Sequence, residues 1–293
     1  MTSVHVTDLT KDYPIRDGLR RRRHRAVDRV SFDLVPGRTV ALVGESGSGK
    51  STIAKLLTRL EKPTSGRIEV RLDDGTPAVG PLYRRHVQMV FQDPFASLNP
   101  FHSVAHHIAR PLKLHGRPSG RDEVLAMLER VNLTPAEEMA DRRPHELSGG
   151  QRQRVAIARA LAPGAQVLVA DEPVSMLDVS IRLGVLNLLG RLQRESRLAV
   201  LYITHDLATA RHFSDDILVL HHGRVVERGP ADAVILDPHH DYTKLLAASA
   251  PDPNRVGGVV RSQAPDRDSI DDSVCYDHRL GEWVPTGTQK AAA

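Results

Sequence analysis

An α/β fold, with helices packed on a parallel or mixed sheet, is what this sequence predicts, and three observations carry that reading. Short continuous apolar runs recur along the chain, "TVALV", "VLVA" and "LAVLYI", and a run without polar alternation marks a strand buried on both faces. A glycine-rich segment, Gly44 to Thr52, lies between the first run and a helical pattern. A block of helical spacing at residues 93–162 interrupts the strand-rich remainder.

Taken in order, residues 4–6 and 26–34 read as short strands flanking the basic run "RRRRHR" at 20–25. "RTVALVG" is the first fully buried strand, and the following helix carries Ile53, Leu56, Leu57 and Leu60 at i, i+3, i+4 and i+7, stopped by Pro63 and Gly66. Segment 67–91 reads as further strand, ending at "HVQMVFQ". Over 93–162 the spacing turns helical, as in "DEVLAMLERV", and β-rich runs vanish. Strands resume with "AQVLVADE", and the next helix aligns Ile181, Val185, Leu188, Leu189 and Leu192 in one stripe. "LAVLYITHD" and "DILVL" are further buried strands, and "HHGRVVERG" turns the latter into a hairpin. A short helix follows Pro238, and the polar Pro-, Gly- and Asp-rich tail from about residue 250 is expected to be poorly ordered. The implied division is an α/β core at 1–92 and 163–235, an inserted helical subdomain at 93–162, and a C-terminal extension at 236–293.

Composition bounds the class. A chain of 293 residues, 40% hydrophobic and 26% charged, can bury one large core. No apolar run approaches the roughly 18 residues of a membrane span. The polar N-terminus has no signal-like apolar segment, so a cytoplasmic setting is expected. The single cysteine, Cys275, excludes an intrachain disulfide and an all-cysteine metal site built by this chain alone. The net charge of +4 permits an anionic partner. Its densest part, the run at 20–25, reads either as a solvated loop or as a contact for anionic lipid or nucleic acid, and no aromatic residues interleave there to stack on bases.

The strongest motif is "GESGSGKST", comprising Gly44, Glu45, Ser46, Gly47, Ser48, Gly49, Lys50, Ser51 and Thr52. It fits G-x-x-x-x-G-K-[ST] between a buried strand and a helix, the setting that confirms a phosphate-binding P-loop. Successive N–H groups converge on phosphate oxygens, Lys50 reaches the β- and γ-phosphates, and the Ser51 hydroxyl is placed for Mg²⁺. The spacing of a Rossmann dinucleotide fingerprint is absent. At the end of another buried strand, "VLVADE" supplies Asp171 as a Mg²⁺ carboxylate and Glu172 as the base that orients an attacking water. A second helix start poses a question: Ser148 and Gln151 form an S-x-x-Q capping box around Gly149 and Gly150. Each glycine weakens a helix by about 1 kcal/mol relative to Ala, yet bare N–H groups at a helix start suit a phosphate.

Gly44 to Thr52, Gln92, "LSGGQ" at 147–151, "VLVADE", "SMLD" at 175–178 and His205 occur in an order that resembles the full motif series of ATP-binding cassette (ABC) ATPases. The resemblance covers residues 4 to about 246 and implies a RecA-like P-loop NTPase core with an antiparallel β subdomain and an inserted α-helical subdomain. ATP and Mg²⁺ are the implied cofactors. Two such domains stack head to tail in the family, so Ser148, Gly149, Gly150 and Gln151 are implied to meet the ATP of an opposite cassette, in a homo- or heterodimer. Gln92 is similar to the Q-loop glutamine that senses Mg²⁺ and water, His205 to the histidine contacting the γ-phosphate, Asp178 to the D-loop aspartate, and Tyr13 to the aromatic that stacks on adenine. Met176 departs from the alanine usual in that loop.

"VFQDPFASLNPFHSV", the basic loop after Tyr13 and "DPHHDYTKLL" further resemble the ATPase subunits of oligopeptide and dipeptide importers, a group that includes nickel importers. That implies two separate membrane permease subunits, an extracytoplasmic solute-binding protein, a peripheral place on the cytoplasmic membrane face, and no nucleic-acid partner. Many such subunits carry a C-terminal cysteine cluster; with only Cys275 here, no metal site is carried over. A soluble ABC ATPase and the ATPase-like subunit of a carbon–phosphorus lyase complex remain the alternatives.

Overall fold

The computed structural model describes residues 2–17, 20–249 and 271–286. In chain order the strands and helices are β1 (Ser3–Asp17), β2 (Arg20–Leu34), β3 (Thr39–Val43), α1 (Lys50–Leu57), β4 (Ser65–Arg71), α2 (Gly80–His86), β5 (Val87–Val90), α3 (Pro94–Ser97), α4 (Val104–Leu114), α5 (Arg121–Arg130), α6 (Ala136–Asp141), α7 (Gly149–Leu161), β6 (Val167–Asp171), α8 (Val179–Ser196), β7 (Ala199–Thr204), α9 (Leu207–Phe213), β8 (Asp216–His221), β9 (Arg224–Pro230), α10 (Ala231–Leu236), α11 (Asp241–Ser249), β10 (Val274–Asp277) and β11 (Glu282–Pro285). They fall into two compact units. One comprises 1–3, 35–38 and 70–201; the other comprises 4–34, 39–69 and 202–293, with β7 running from the first into the second. Among the described residues no helix is long and apolar enough to cross a membrane.

In the first unit β5 pairs in parallel with β6. Every residue of β6 is buried, as its unbroken apolar run requires. The helices α3 to α7 occupy residues 94–161, where the sequence turned helical. They bury Val104 with Ile108 and Val124 with Leu128 at helical spacing, while α7 is buried over most of its length, Val155, Ala156, Ile157 and Ala158 in succession.

In the second unit β3 pairs in parallel with β8, β8 antiparallel with β9, β9 in parallel with β10, and β10 antiparallel with β11. A separate three-stranded sheet has the order β2-β1-β4. Asp28, 3% exposed, joins β2 to β9: Arg224 Nη2 lies 2.7 Å and Arg25 Nη1 3.2 Å from its carboxylate. With Arg29 Nε at 3.6 Å, three cations surround one buried carboxylate and offset its desolvation.

The structure corrects several expected boundaries. The two short strands become one long hairpin, β1–β2, that takes in the basic run, with a left-handed backbone at Asp8 (φ 48) where the register shifts. Helix α1 ends at Leu57, and Arg59 turns left-handed (φ 56), so Leu60 is 61% exposed rather than part of the buried stripe. Segment 67–91 is strand only at its two ends and holds α2 between them, a short helix with Pro81 in its first turn that buries Tyr83 alone. Ile181 is half-buried, whereas Val185, Leu188, Leu189 and Leu192 form the buried face of α8. Of the tail expected to be poorly ordered, 250–270 and 287–293 lie outside the described residues, and 271–286 holds the β10–β11 hairpin.

Candidate nucleotide site

In the second unit the phosphate loop leaves β3 at Gly44 and enters α1 at Lys50. Gly49 occupies the N-cap with φ 111 and no side-chain cap, and no acidic residue stands in the first turn. The first N–H groups of the helix and its positive end therefore face the loop without a competing side chain. Lys50 is buried, and its Nζ donates to the carbonyls of Gly44 at 2.6 Å and Glu45 at 2.8 Å. Its ammonium is thus held over the mouth of the loop formed by Glu45, Ser46, Gly47, Ser48 and Gly49. Ser51 is exposed and Thr52 half-buried at the start of α1. Glu45 N–H donates to the Tyr242 hydroxyl at 2.8 Å, tying the loop to α11.

Tyr13 belongs to the same unit. Its hydroxyl donates to Glu61 Oε2 at 2.6 Å, and Lys11 Nζ stands 5.0 Å above its ring. Burial, with the Glu61 hydrogen bond next, holds the Tyr13 phenol above its ordinary pKa, and the same bond holds the Glu61 carboxyl below its own. His205 is exposed between β7 and α9, where Asp206 caps the helix by accepting from Ala208 N–H at 2.9 Å.

The first unit brings together a different set. Asp171 ends β6 and is 7% exposed. Glu172 follows with φ 44, a left-handed conformation that a non-glycine residue rarely adopts and that concentrates at functional positions. Its carbonyl accepts from Ser175 N–H at 3.2 Å and Ser175 Oγ at 3.1 Å. Gln92 Nε2 donates to its Oε2 at 3.0 Å. An acceptor carboxylate held at a fixed place by an amide can orient a water.

Also in the first unit, Ser148 caps α7 by accepting from Gln151 N–H at 3.2 Å, and Gln151 Oε1 accepts from Ser148 N–H at 2.9 Å, completing the capping box. Gly150 has a packing reason of its own: a Cβ there would lie 2.6 Å from Ile181 Cγ2. The exposed Asp178 precedes α8 without bonding its first turn through its side chain, and Met176 beside it is 55% exposed. Sequence reasoning missed Glu61, Tyr242 and the Ile181 contact. Only Tyr242 lay within a quoted motif, and nothing local pointed to the other two.

The family profile described as "ABC transporter" matches residues 27–175. The glutathione import ATP-binding protein GsiA of Escherichia coli K12 is 45% identical over 96% of this chain, and the GsiA of Salmonella choleraesuis is likewise 45% identical. The chain spans about half the length of these curated relatives, 46% of each. Among solved structures, the dimeric bacterial ABC transporter cassette MJ0796 aligns with TM-score 0.66 and 31% identity, covering 78% of this chain and 98% of that one. A post-hydrolysis state of the same cassette bound to ADP and Pi aligns with TM-score 0.65 and 32% identity. CbiO1 of Clostridium perfringens, described as part of the ABC transporter complex cbiONQ, aligns with TM-score 0.68 and 29% identity, covering 80% of this chain and 90% of that one. The fold is that of the ABC ATPase cassette, an α/β P-loop NTPase, and the chain belongs to the ABC transporter family.

Proposed function

We propose that this chain binds and hydrolyses ATP as the energising subunit of an importer for short peptides, glutathione among them. The reading of import rests on 45% identity over 96% of the chain to glutathione import ATP-binding proteins. The reading of hydrolysis rests on one geometric observation, the bond from Gln92 to the left-handed Glu172.

Each residue has a task that its placement suits. Backbone N–H groups from Gly44 to Gly49 and the start of α1 hold phosphate oxygens, and Lys50, already aimed at the loop, exchanges its carbonyl partners for β- and γ-oxygens. The uncapped helix start and buried lysine fit an anionic triphosphate. Asp171 and Gln92 are carboxylate and amide donors that suit Mg²⁺, and the Ser51 hydroxyl at the start of α1 is a donor of the same hard kind; Mg²⁺ would neutralise developing phosphate charge when bound. Glu172 orients the attacking water and takes its proton; Gln92 fixes the carboxylate for that work. His205 would steady the γ-phosphate, and Tyr13 offers its ring to adenine. Ser148, Gly149, Gly150 and Gln151, with Asp178, would serve the nucleotide of a second cassette, whether a copy or a homologue. Two permease subunits and an extracytoplasmic solute-binding protein would complete the assembly at the cytoplasmic membrane face.

Deleting the gene and measuring uptake of labelled glutathione and dipeptides tests the import reading. Uptake of both at the parental rate would refute it. Phosphate release by the purified chain, lost on Glu172→Gln, tests hydrolysis separately.

A further inference from the structure

Away from the nucleotide residues, His221, His222 and Asp272 each offer one ligand atom, and these atoms lie within 4.8 Å of one another. We propose that this cluster binds a first-row divalent metal ion of the zinc class and thereby clamps the β10–β11 hairpin to the turn between β8 and β9. The inference stands apart from the import reading.

The turn's backbone makes the cluster possible. Successive side chains on a strand point to opposite faces, so His221 and His222 could not share a ligand in extended chain. The left-handed conformations at His222 (φ 44) and Gly223 (φ 80) break that alternation. The third ligand comes from 51 residues further on: His221 Nδ1 and Asp272 Oδ1 stand 2.7 Å apart. Two ligands about 2.0–2.1 Å from a tetrahedral ion are separated by about 3.3 Å. The pair must therefore open by about 0.6 Å for an ion to replace the proton between them, a shift that the half-buried Asp272 side chain can make. Two imidazoles and a carboxylate are the donors that zinc, nickel and copper accept.

Burial grades across the cluster: His221 is buried, Asp272 half-buried and His222 exposed. The protein thus supplies a fixed inner edge, while His222 and solvent complete the outer one. Such a site exchanges its ion rather than sealing it in.

The hairpin already meets its surroundings through weak links. Arg224 Nη1, just after the turn, donates to the Asp272 carbonyl at 3.5 Å, and His240 Nε2, ahead of α11, meets the Asp271 carbonyl at 3.0 Å. Inward, the His221 ring packs against Tyr242 with centroids 3.9 Å apart and planes tilted by 30°, and Tyr242 carries the hydrogen bond from Glu45 N–H. An ion here would stiffen the C-terminal hairpin and the wall of the phosphate loop together.

The test uses the untagged full chain without nucleotide, titrated with Zn²⁺ by calorimetry, alongside His222→Ala and Asp272→Asn. The exposed His222 makes the first variant a surface change, and circular dichroism checks the fold of both. The expected result is one equivalent bound by the parent and at least tenfold weaker binding in each variant. Hydrogen exchange at 274–285 should slow on zinc addition in the parent and not in His222→Ala. No binding by the parent at 100 µM zinc, or unchanged affinity in either variant, overturns the site. Zinc that binds yet leaves exchange of the hairpin unaltered overturns the clamp.

Discussion

Gln92 Nε2 sits 3.0 Å from Glu172 Oε2, an amide holding a carboxylate 80 residues away in sequence. Replacing Glu172 with Gln keeps a side chain of the same shape and an oxygen that can still accept from Gln92. Turnover should fall about 10²–10⁴-fold, the usual loss for a general base, with ATP affinity within threefold of the parent. Phosphate release and equilibrium nucleotide binding check the two halves, and near-normal turnover would remove Glu172 from the mechanism.

Glu172→Gly asks a different question of the same residue. Its left-handed backbone carries strain of about 1–2 kcal/mol that glycine does not feel. Urea unfolding should give equal or greater stability for this variant although hydrolysis is lost. A marked destabilisation would mean that the side chain, not the backbone, decides the energy here.

Gly150→Ala should destabilise the chain by about 1–2 kcal/mol, against the helix-propensity gain of about 1 kcal/mol that alanine brings elsewhere in a helix. The reason is the 2.6 Å approach to Ile181 Cγ2. Combined with Ile181→Ala the losses should fall well short of additive, because the second change removes the obstacle. Additive losses in denaturation midpoints would point to some other cause.

Tyr13→Phe removes the hydroxyl bonded to Glu61 and leaves the ring. ATP affinity should change by less than threefold, whereas Tyr13→Ala should weaken it about 5- to 150-fold, the range of one lost base–aromatic contact. Equal effects of the two variants would assign the hydroxyl, not the ring, to nucleotide binding.

Cys275 lies buried in β10, and burial pushes its thiol up to about 12. The folded chain should react with a disulfide reagent at pH 8 far more slowly than the urea-unfolded chain. A thiol pKa raised by folding contributes stability that is complete below the unfolded value of 9.0 and is lost as pH climbs from there toward 12. Cys275→Ser should flatten that alkaline part of the stability profile.

The parts legible in the sequence are those whose chemistry dictates residue identity. A loop wrapping phosphate needs the glycines and lysine of 44–52, and strands buried on both faces, such as Val167–Asp171, need unbroken apolar runs. The outer β1–β2 hairpin was not legible, because Arg22 to Arg25 are all exposed and print no apolar alternation; backbone pairing with β1 and the ion pair of Arg25 with Asp12 at 2.9 Å hold them there. Helix α2 buries one side chain, too few to print a period. The strands β10 and β11 are four residues each and borrow their stability from β9. Tyr242 meets Glu45 across 197 residues, a distance no local pattern encodes.

A Cβ at Gly44 would fall 2.2 Å from the Leu220 carbonyl, and Gly223 N–H donates to the Ser48 carbonyl at 2.9 Å. Main chain rests on main chain at both points, where β8 and the turn after it meet the phosphate loop. Such a joint has no cushion to trim or enlarge, so substitution can break it but cannot tune it. Whatever shifts the turn must reach the loop undamped, and fine adjustment of nucleotide affinity in this molecule has to be made at its periphery.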